Sequence, residues 1–559
     1  MSALTPPRHA RGPKAPAAVH AATALVLLLV VGVVALDSSQ APPPRIAEFA
    51  PQSVEQITES QQGQSASGPG GGRAPGSTPT PEEIAAAGGK LDELAGPTPA
   101  PVTVPRSRRC YGNPPRQTED PQSPPCVPYW DPKQDNGGAT APGVTADEIV
   151  VAWPFSLEKV GDTERLAKHF NLRYEFYGRK IKLVNYQPRG GVFGGFQASD
   201  MQASAVDVHE RIKAFASLAY PPKSGAEHHY YDALAARGIL GIDSHASNRT
   251  EADYTANAPY EWNYLPAFDT MMRNYAEWIC KSLAGRRPQY GGTGTAELTS
   301  PRVFGLVYFK SADGSIADRS ILTSALRNGC GVVPAAELEL TTGQQTILKL
   351  QEAKVTSIIC LCQGGHYFDS LMPAATQQVY FPEWLVSSYH YLDYDGVGQK
   401  FPAEHAEHAF GLTFHNKWLP QKDMPWYQAI KEADPAYETG DDGYASAAYE
   451  RYYELLLLAS GIQMAGPNLT AQSFQSGLFK AKFPAPGSGD APLYAVGGGF
   501  GPGNHTMSED AATIWYSASG ESYTTNVRRG TFCYIRSGKR YALGQWPRED
   551  PPLFREPCK

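Results

Sequence analysis

An excess of positive charge is absent from this chain of 559 residues. It contains 49 Lys and Arg against 56 Asp and Glu, which gives a formal net charge of −7. A protein that binds the phosphate backbone of DNA or RNA draws much of its affinity from clustered Lys and Arg side chains. We therefore expect no nucleic-acid partner.

Recognised catalytic and cofactor motifs are also missing. There is no G-x-S-x-G elbow, no H-E-x-x-H motif and no P-loop, because the glycine run at 497–503 lacks the following Lys and Ser/Thr. A second run at 190–195 lacks the spacing of a dinucleotide site. His405 and His408 are the metal candidates, as in an envelope hydrolase, but no further ligand stands at recognised spacing. We expect neither enzymatic activity nor a cofactor.

Long apolar runs are confined to the start of the chain. Residues 15–36 contain no charged side chain, and at the helical rise they would span about 33 Å, the thickness of a bilayer's hydrocarbon core. Basic residues precede this stretch, which predicts a cytoplasmic segment at 1–14 and an extracytoplasmic location for the rest. A cleavable signal peptide is the alternative to a retained membrane anchor. We expect the single-pass anchor.

Proline is concentrated in the region that follows. Residues 37–142 hold 20 of the 48 prolines, mixed with Gly, Ser, Gln and Thr. Such a composition, with little apolar periodicity, is typical of an extended and disordered chain. We interpret 37–142 as a tether that holds a folded module away from the membrane.

The eight cysteines suit an oxidising compartment, where an even number favours disulfides. We expect bridges between Cys110 and Cys126 and between Cys533 and Cys558, because both ends of the chain lack a large core of their own. Cys360 and Cys362 lie in an apolar segment. They are interpreted as buried thiols or as disulfide partners rather than as metal ligands.

From residue 143 onward, short β-branched runs alternate with amphipathic stretches. This alternation is typical of βα units that form parallel sheets, and the length suffices for more than one core. The sequence predicts an α/β protein with lobe 1 at 143–268, completed by about 410–500, and lobe 2 at 269–409, completed by about 501–545, before a tail at 546–559. A helix at 445–460, with one apolar stripe, is interpreted as a packing helix. The predicted strands are 149–153, 181–185, 214–219, 239–242, 303–309, 355–362 and 384–388.

Aromatic and polar side chains follow directly after the predicted strands. In parallel α/β sheets, ligands bind outside the carboxyl ends of the strands, and a cleft between lobes needs aromatic walls with a few oriented polar groups. Each residue alone is typical of an ordinary loop, but the recurrence of aromatic and polar residues at equivalent strand ends favours a ligand site. The candidate ligand-binding residues are Trp153, Phe155, Ser156, Tyr220, Ser224, Asp243, Ser244, His245, Tyr308, Lys310, Gln363, Gly364, Ser388 and Tyr389.

The ordered series of segments over 143–544 resembles the type I periplasmic binding proteins of the branched-chain amino acid (leucine-binding) kind. Residues 143–152 (GVTADEIVVA) look like the phrase before the family's first strand, and 177–185 (YGRKIKLVN) like the entry to the second. Residues 303–309 (VFGLVYF), with a helix ending in NGCG, are similar to the start of the family's second lobe. The helix at 445–461 is similar to its late first-lobe helix.

The resemblance implies two Rossmann-like lobes with parallel sheets, joined by a three-strand hinge, that close on a small-molecule solute and deliver it to ABC permease subunits. With the predicted anchor, this describes an extracytoplasmic solute-binding protein at the cell membrane. A membrane-anchored ligand sensor or cell-envelope scaffold with the same fold is the alternative.

The sequence departs from the amino-acid binders at two positions. Residues 221–231 (PPKSGAEHHYY) replace a loop rich in small Ser, Thr and Ala, and 388–391 (SYHY) stand where the family carries a glutamate for the ligand's ammonium group. We therefore expect a ligand other than a simple amino acid.

Overall fold

The computed structural model describes most of the chain after residue 110. The predicted segments 1–14 and 15–36, and the tether as far as 109, lie outside the described residues. Within the described part, no helix is both long enough and apolar enough to span a bilayer. The described residues are 110–111, 116–117, 120, 122–154, 160–190, 197–221, 226–245, 248–292, 294–295, 298–311, 314–438, 445–481, 498–524 and 529–558.

Strands and helices alternate along most of these residues. The strands are β1 (Cys110–Tyr111), β2 (Arg116–Gln117), β3 (Glu148–Pro154), β4 (Lys180–Tyr186), β5 (Ala216–Ser217), β6 (Leu240–Asp243), β7 (Glu261–Asn263), β8 (Phe304–Tyr308), β9 (Ala336–Glu339), β10 (Ser357–Leu361), β11 (Glu383–Val386), β12 (Ala409–Thr413), β13 (Asp510–Glu521), β14 (Arg529–Tyr534) and β15 (Arg540–Ala542). The α-helices are α1 (Val160–Arg173), α2 (Ala198–Asp207), α3 (His228–Ala235), α4 (Glu251–Ala256), α5 (Phe268–Trp278), α6 (Ser320–Cys330), α7 (Gly343–Glu352), α8 (Met372–Gln377), α9 (Asp395–Gly398), α10 (Ala403–Ala406), α11 (Pro425–Ala433), α12 (Ala445–Ala465) and α13 (Ala471–Ala481).

The first sheet has five strands in the order β4-β3-β5-β6-β7, and all of its pairs are parallel. Strands β5, β6 and β7 are buried on both faces, as expected for parallel strands covered by helices, whereas strand β4 at one edge is partly exposed. The long helix α12 comes late in the chain, yet it packs against α1 and β6 and so completes this half.

The second sheet repeats this arrangement and extends it. Its parallel part runs in the order β9-β8-β10-β11-β12, the same relative order as the first sheet, and β13 then adds antiparallel to β12. Strands β14 and β15 both pair antiparallel with β13. In this strand order the crossover connections leave to opposite sides at one switch point. It lies between β3 and β5 in the first sheet and between β8 and β10 in the second. Ligands bind at such points in open α/β sheets.

Three segments cross between the two halves and run beside one another. Met507 N donates to Asn263 O at 2.9 Å, Asn263 N donates to His505 O at 3.3 Å, and Ser508 Oγ donates to Phe414 O at 3.5 Å. These bonds join the segments that follow β7 and β12 to the segment that precedes β13. The parallel sheets are thus linked by a triple connection, which is the arrangement a hinge requires.

Each of the seven predicted strands overlaps an observed one. Strands β1, β2, β7, β9, β12 and β13–β15 were not predicted. Strands β1 and β2 have two residues each and β7 has three, β9 lacks a buried face, and the rest lie among polar and glycine-rich stretches. The helix predicted at 445–460 extends to Ala465. It is buried on every side from Tyr452 to Ile462 rather than along one stripe.

The tether predicted over 37–142 extends too far toward the folded module. Gln117 and Gln122 are buried, with exposed fractions of 3% and 1%. Gln122 Oε1 accepts a hydrogen bond of 2.6 Å from Asn416 Nδ2, and Ser123 Oγ lies 3.0 Å from Tyr174 Oη. Residues 122–136 are therefore part of the folded structure, because their side chains bond to residues distant in the sequence, 51 positions away for Ser123 and 294 for Gln122. Composition alone could not reveal those partners.

Disulfides join Cys280 to Cys330, Cys360 to Cys362 and Cys533 to Cys558. The third pair is the bridge expected near the C-terminus, and it ties the final residues to strand β14. Cys126 is also disulfide-bonded. The side chain of Cys110 lies outside the described residues.

Candidate ligand site between the two sheets

The loops that follow β6 in the first sheet and β11 in the second sheet meet. Tyr389 Oη donates to Asn248 Oδ1 at 2.5 Å. The rings of His245 and Tyr391 lie 5.8 Å apart, edge to face at 86°. Since these loops leave the carboxyl ends of parallel strands, their meeting point is where a ligand site is expected in this architecture.

His245 is held by a buried carboxylate on its own loop. Asp243 Oδ1 accepts from His245 Nδ1 at 2.7 Å, from Ser244 N at 2.8 Å and from Tyr231 Oη at 2.9 Å. Burial opposes charging of the imidazole, but the charge of Asp243 and its hydrogen bond, with help from Glu450, outweigh burial and raise the pKa of His245 to about 9. His245 is therefore an imidazolium at neutral pH, with its orientation fixed.

Helix α12 brings two carboxylates to the same place, one helical turn apart. Glu454, fully buried, accepts from Ser244 Oγ at 2.7 Å and pairs with Arg451. Glu450 accepts a bond of 3.0 Å from Tyr394 Oη, which belongs to the second half of the molecule. Burial raises the pKa of Glu450 to about 7, against the opposing charges of His245 and Arg451. Its carboxyl group thus changes charge near neutrality at the junction of the two halves.

The loop after β11 is tied to the loop after β12. Ser388 Oγ donates to Asp393 Oδ2 at 2.5 Å and accepts from Phe414 N at 2.7 Å. Between them, His390 and Tyr391 adopt left-handed backbone conformations, with φ of 47° and 63°. Non-glycine residues in this region cost on the order of 1–3 kcal/mol each, and such strain tends to occur at functional sites.

Buried polar atoms without a protein partner are concentrated here. Among the described residues, neither ring nitrogen of His415, whose residue is 1% exposed, has a hydrogen-bond partner, and the same holds for Asp393 Oδ1, His390 Nε2 and Tyr391 Oη. Asp393 Oδ1 lies 3.9 Å from His415 Nε2, and the guanidinium of Arg540 donates to the backbone oxygen of His415 at 2.7 Å. Leaving a buried donor or acceptor unsatisfied costs about 1–3 kcal/mol. Several such atoms in one place make this junction a candidate site for a bound polar molecule.

Aromatic rings form the walls around these atoms. Tyr391 stacks near His415, with ring centroids 6.1 Å apart and an interplanar angle of 17°. Tyr394 lies 4.9 Å from His415 and 4.8 Å from Tyr391. On the other side, Phe309 approaches His390 at 5.5 Å. The arrangement combines flat apolar walls with a few oriented polar groups, as ligand sites do.

The structure brings part of the predicted site together. The predicted residues at this junction are Asp243, Ser244, His245, Ser388 and Tyr389. Tyr220 is buried beside them in the first half, its ring 4.6 Å from Tyr230.

Five other predicted residues have contacts away from this junction. Trp153 is a core residue, 1% exposed. Lys310 pairs with Glu339 at 3.3 Å on the surface, and the ring of Tyr308 lies 4.1 Å from the guanidinium of Arg319. Gln363 and Gly364 follow β10, where Gln363 N donates to His366 Nδ1 at 3.2 Å and Gly364 packs against Val397. Phe155, Ser156 and Ser224 lie outside the described residues.

The histidines considered for metal binding have protein partners. His405 is fully buried, its Nδ1 accepts from Trp384 Nε1 at 3.1 Å, and its Nε2 lies 3.0 Å from Thr376 Oγ1. His408 Nδ1 bonds to Tyr290 O. Nowhere in the described part of the chain do three or more His, Cys, Asp or Glu form a group that could hold a metal ion.

Sequence reasoning missed several residues of this site. On α12 a signal existed, because Glu450, Arg451 and Glu454 are charged residues inside an otherwise apolar helix, and buried charges need partners. Asp393 and His415 had no such signal. They depend on the unpredicted strand β12 and on a loop with no repeating pattern.

Comparisons with known proteins agree at the level of fold. No protein-family model matches the sequence, and no curated protein matches it. Among solved structures, a branched-chain amino acid ABC transporter protein from Thermus thermophilus with bound valine is 14% identical, with a TM-score of 0.50 over 71% of this chain and 97% of that chain. An ABC transporter substrate-binding protein from Aeropyrum pernix is 12% identical, with a TM-score of 0.50 over 71% of this chain and 96% of that chain. The chain therefore has the fold of the type I periplasmic solute-binding proteins.

Proposed function

We propose that this protein is an extracytoplasmic solute-binding protein that captures one small molecule between its two sheets for an ABC-type importer. The observation that carries the proposal is the set of buried polar atoms, including both nitrogens of His415, that have no hydrogen-bond partner among the described residues at the junction of the two halves. A receptor needs this pattern, because groups left unsatisfied in the free protein are the ones that a ligand satisfies.

Capture depends on contacts from both halves. The first half contributes His245, and α12 contributes Glu450, while the second half contributes Tyr391 and His415. A ligand that touches both sides favours the closed arrangement by its additional contacts, and the three crossing segments provide the axis of the motion.

Binding without chemistry fits the protonation states in this cluster. His245 is hydrogen-bonded to Asp243 in the way a general base is oriented, but its raised pKa leaves it protonated at neutral pH. The neighbouring Ser244 hydroxyl donates to Glu454 rather than to an imidazole. A protonated histidine cannot accept a proton from a nucleophile, so this group orients and attracts rather than activates.

Delivery to a permease and attachment to the membrane belong to the same proposal. Attachment is supported by the apolar segment 15–36 and the Pro-rich stretch after it. Delivery is supported by the fold that the chain shares with ABC transporter substrate-binding proteins. Recovery of permease subunits with the full chain from solubilised membranes supports transport. Recovery of receptor or envelope partners without permease subunits supports the sensing or scaffolding role instead.

The proposal is tested by screening the full chain against a library of small metabolites by thermal shift, followed by calorimetry of each hit. We expect saturable binding of about one molecule per chain. His415→Ala and Ser244→Ala, which alter opposite halves, should each weaken it. Glu352→Gln, an exposed position on α7, serves as the control and should leave binding unchanged. Absence of any saturable ligand, or binding that neither variant affects, would overturn the proposal.

A further inference from the structure

We propose that the ligand of this site is an organic cation, with its charged nitrogen held between Asp393 and Glu450 and against the rings of Tyr391, Tyr394 and His415. The inference rests on the proposed function and specifies its substrate class.

The first support is the imbalance of charge. Asp243 is matched by His245 at 2.7 Å, and Glu454 is matched by Arg451. Asp393 and Glu450 have no comparable partner among the described residues. Asp393 accepts a hydrogen bond from the hydroxyl of Ser388. Its only ion-pair contact among the described residues joins Oδ1 to Nε2 of His415 at 3.9 Å.

Glu450 is bound in the same way, by a hydroxyl group rather than by a cation. Tyr394 Oη donates to Glu450 Oε1 at 3.0 Å, and the ring of Tyr394 lies 4.9 Å from that of His415, beside Asp393. The two carboxylates therefore border one aromatic cluster. The charges of His245 and Arg451 act on Glu450 without an ion-pair contact to it among the described residues. A ligand with positive charge at this point would supply that direct contact.

The second support comes from the buried histidine. His415 is 1% exposed, and neither of its ring nitrogens has a hydrogen-bond partner in the part of the chain that the structure describes. Burial lowers its pKa against the opposing charge of Asp393, so the ring is neutral at neutral pH. A neutral imidazole offers one acceptor nitrogen, which can receive an N–H from a protonated amine, and it does not repel a cation.

The third support is the geometry of the rings. Tyr391, Tyr394 and His415 lie within 4.8–6.1 Å of one another. Aromatic faces attract ammonium groups through the ring quadrupole, and the attraction is strongest where water is excluded. Flat walls combined with carboxylates are the surroundings that aromatic cages provide for organic cations.

An anionic ligand fits the same surroundings poorly. It would place its charge beside Asp393, Glu450 and Glu454, while His245 and Arg451 are already engaged by carboxylates. Like charges brought together at low dielectric repel strongly. A cation is therefore the class that the charges of this site favour.

The test uses the full chain and three probes that share a phenol ring and differ in the end group. Tyramine carries an ammonium, tyrosol a hydroxyl and 4-hydroxyphenylacetate a carboxylate. A fourth probe, benzyltrimethylammonium, carries a quaternary ammonium on a plain phenyl ring. We expect calorimetry to show that the ammonium probes bind about tenfold or more tightly than tyrosol and the acid. Glu450→Gln and Asp393→Asn should each weaken tyramine binding by about tenfold, whereas Glu352→Gln should not.

The outcomes separate this inference from the receptor proposal. Equal or tighter binding of tyrosol or the acid overturns the cation assignment and leaves the receptor proposal standing. Absence of binding by both ammonium probes also overturns the assignment, whereas the receptor proposal fails only if the whole metabolite library fails. Circular dichroism and unfolding curves establish that each variant is folded. If Asp393→Asn does not fold because its bond to Ser388 is lost, Glu450→Gln decides the result.

Discussion

Glu450→Gln should make the protein more stable at alkaline pH while it weakens ligand binding. The carboxyl group of Glu450 stands at the junction of the two halves and accepts one hydrogen bond, from Tyr394. Burial raises its pKa to about 7 from the ordinary 4.5, so the folded state holds the proton at pH values where the unfolded chain has lost it. Glutamine keeps the shape and the acceptor oxygen but never becomes charged.

The sign and size follow from proton linkage. A carboxyl group whose pKa is raised on folding makes the folded state more stable at low pH than at high pH. The difference in the free energy of unfolding develops as the pH rises from about 4.5 to about 7. At about 1.36 kcal/mol per pKa unit, the ionised carboxylate costs the folded protein about 3 kcal/mol above pH 7. Because the side chain is partly exposed, water reduces this value, and we expect about 2 kcal/mol.

The assay is urea unfolding of the wild-type chain and of Glu450→Gln at pH 5 and pH 8, with Glu352→Gln as the control. The stability of the variant relative to wild type should rise by about 2 kcal/mol between the two pH values. The control should show no such rise, because Glu352 is exposed. An equal difference at both pH values, or a variant less stable than wild type at pH 8, would refute the reasoning.

Three further predictions concern buried charges and packing. Asp243→Asn removes the charge that holds the imidazolium of His245, so NMR titration should show the pKa of this histidine falling from about 9 to below its ordinary 6.5; an unchanged pKa would contradict the assignment. Glu383→Gln leaves the fully buried guanidinium of Arg302 without its counterion, and urea unfolding should show that the free energy of unfolding falls by about 3–5 kcal/mol. A fall of less than about 1 kcal/mol would contradict this prediction. Leu457→Ala opens a cavity beside the buried helix α12 and should cost about 2–5 kcal/mol in the same assay, whereas a negligible loss would mean that the helix is not packed on this side.

Much of the fold was predictable because its signal is local. The β-branched run at 149–153 and the apolar run at 355–362 mark strands through their own composition. No such pattern marks β7, which has three residues, or β9, which has no buried face. These two segments are strands because they hydrogen-bond to a neighbouring strand. The ordered segments nevertheless pointed to the right fold, because strand order and spacing persist where sequence identity does not.

The site was predictable only where chemistry follows a strand directly. Asp243, Ser244 and His245 satisfy that rule, since the chain turns at the carboxyl end of β6 and leaves these side chains beside the opposite half. Glu450 and Glu454 come from a helix that returns to the first sheet after some 200 residues, and no local pattern shows what a buried helix faces. Lys310 shows the converse, because it follows a strand yet pairs with Glu339 at the surface.

The departures from the amino-acid binders acquire a physical meaning in the structure. The SYHY sequence at 388–391 supplies the strained His390 and Tyr391, and the ring of Tyr391 forms part of the aromatic wall. Carboxylates reach the site from Asp393 and α12 instead of from the position the family uses. A different set of side chains at the candidate site on a retained fold is expected, because function resides in the site.

The central claim, that one ligand bridges the two halves, is tested most directly by hydrogen–deuterium exchange of the full chain. The exchange is measured with and without a saturating concentration of the tightest-binding compound from the library. The account predicts that residues 243–245, 388–391 and 450–454 become protected together, since they surround the same molecule. Protection confined to the segments of one sheet would contradict it.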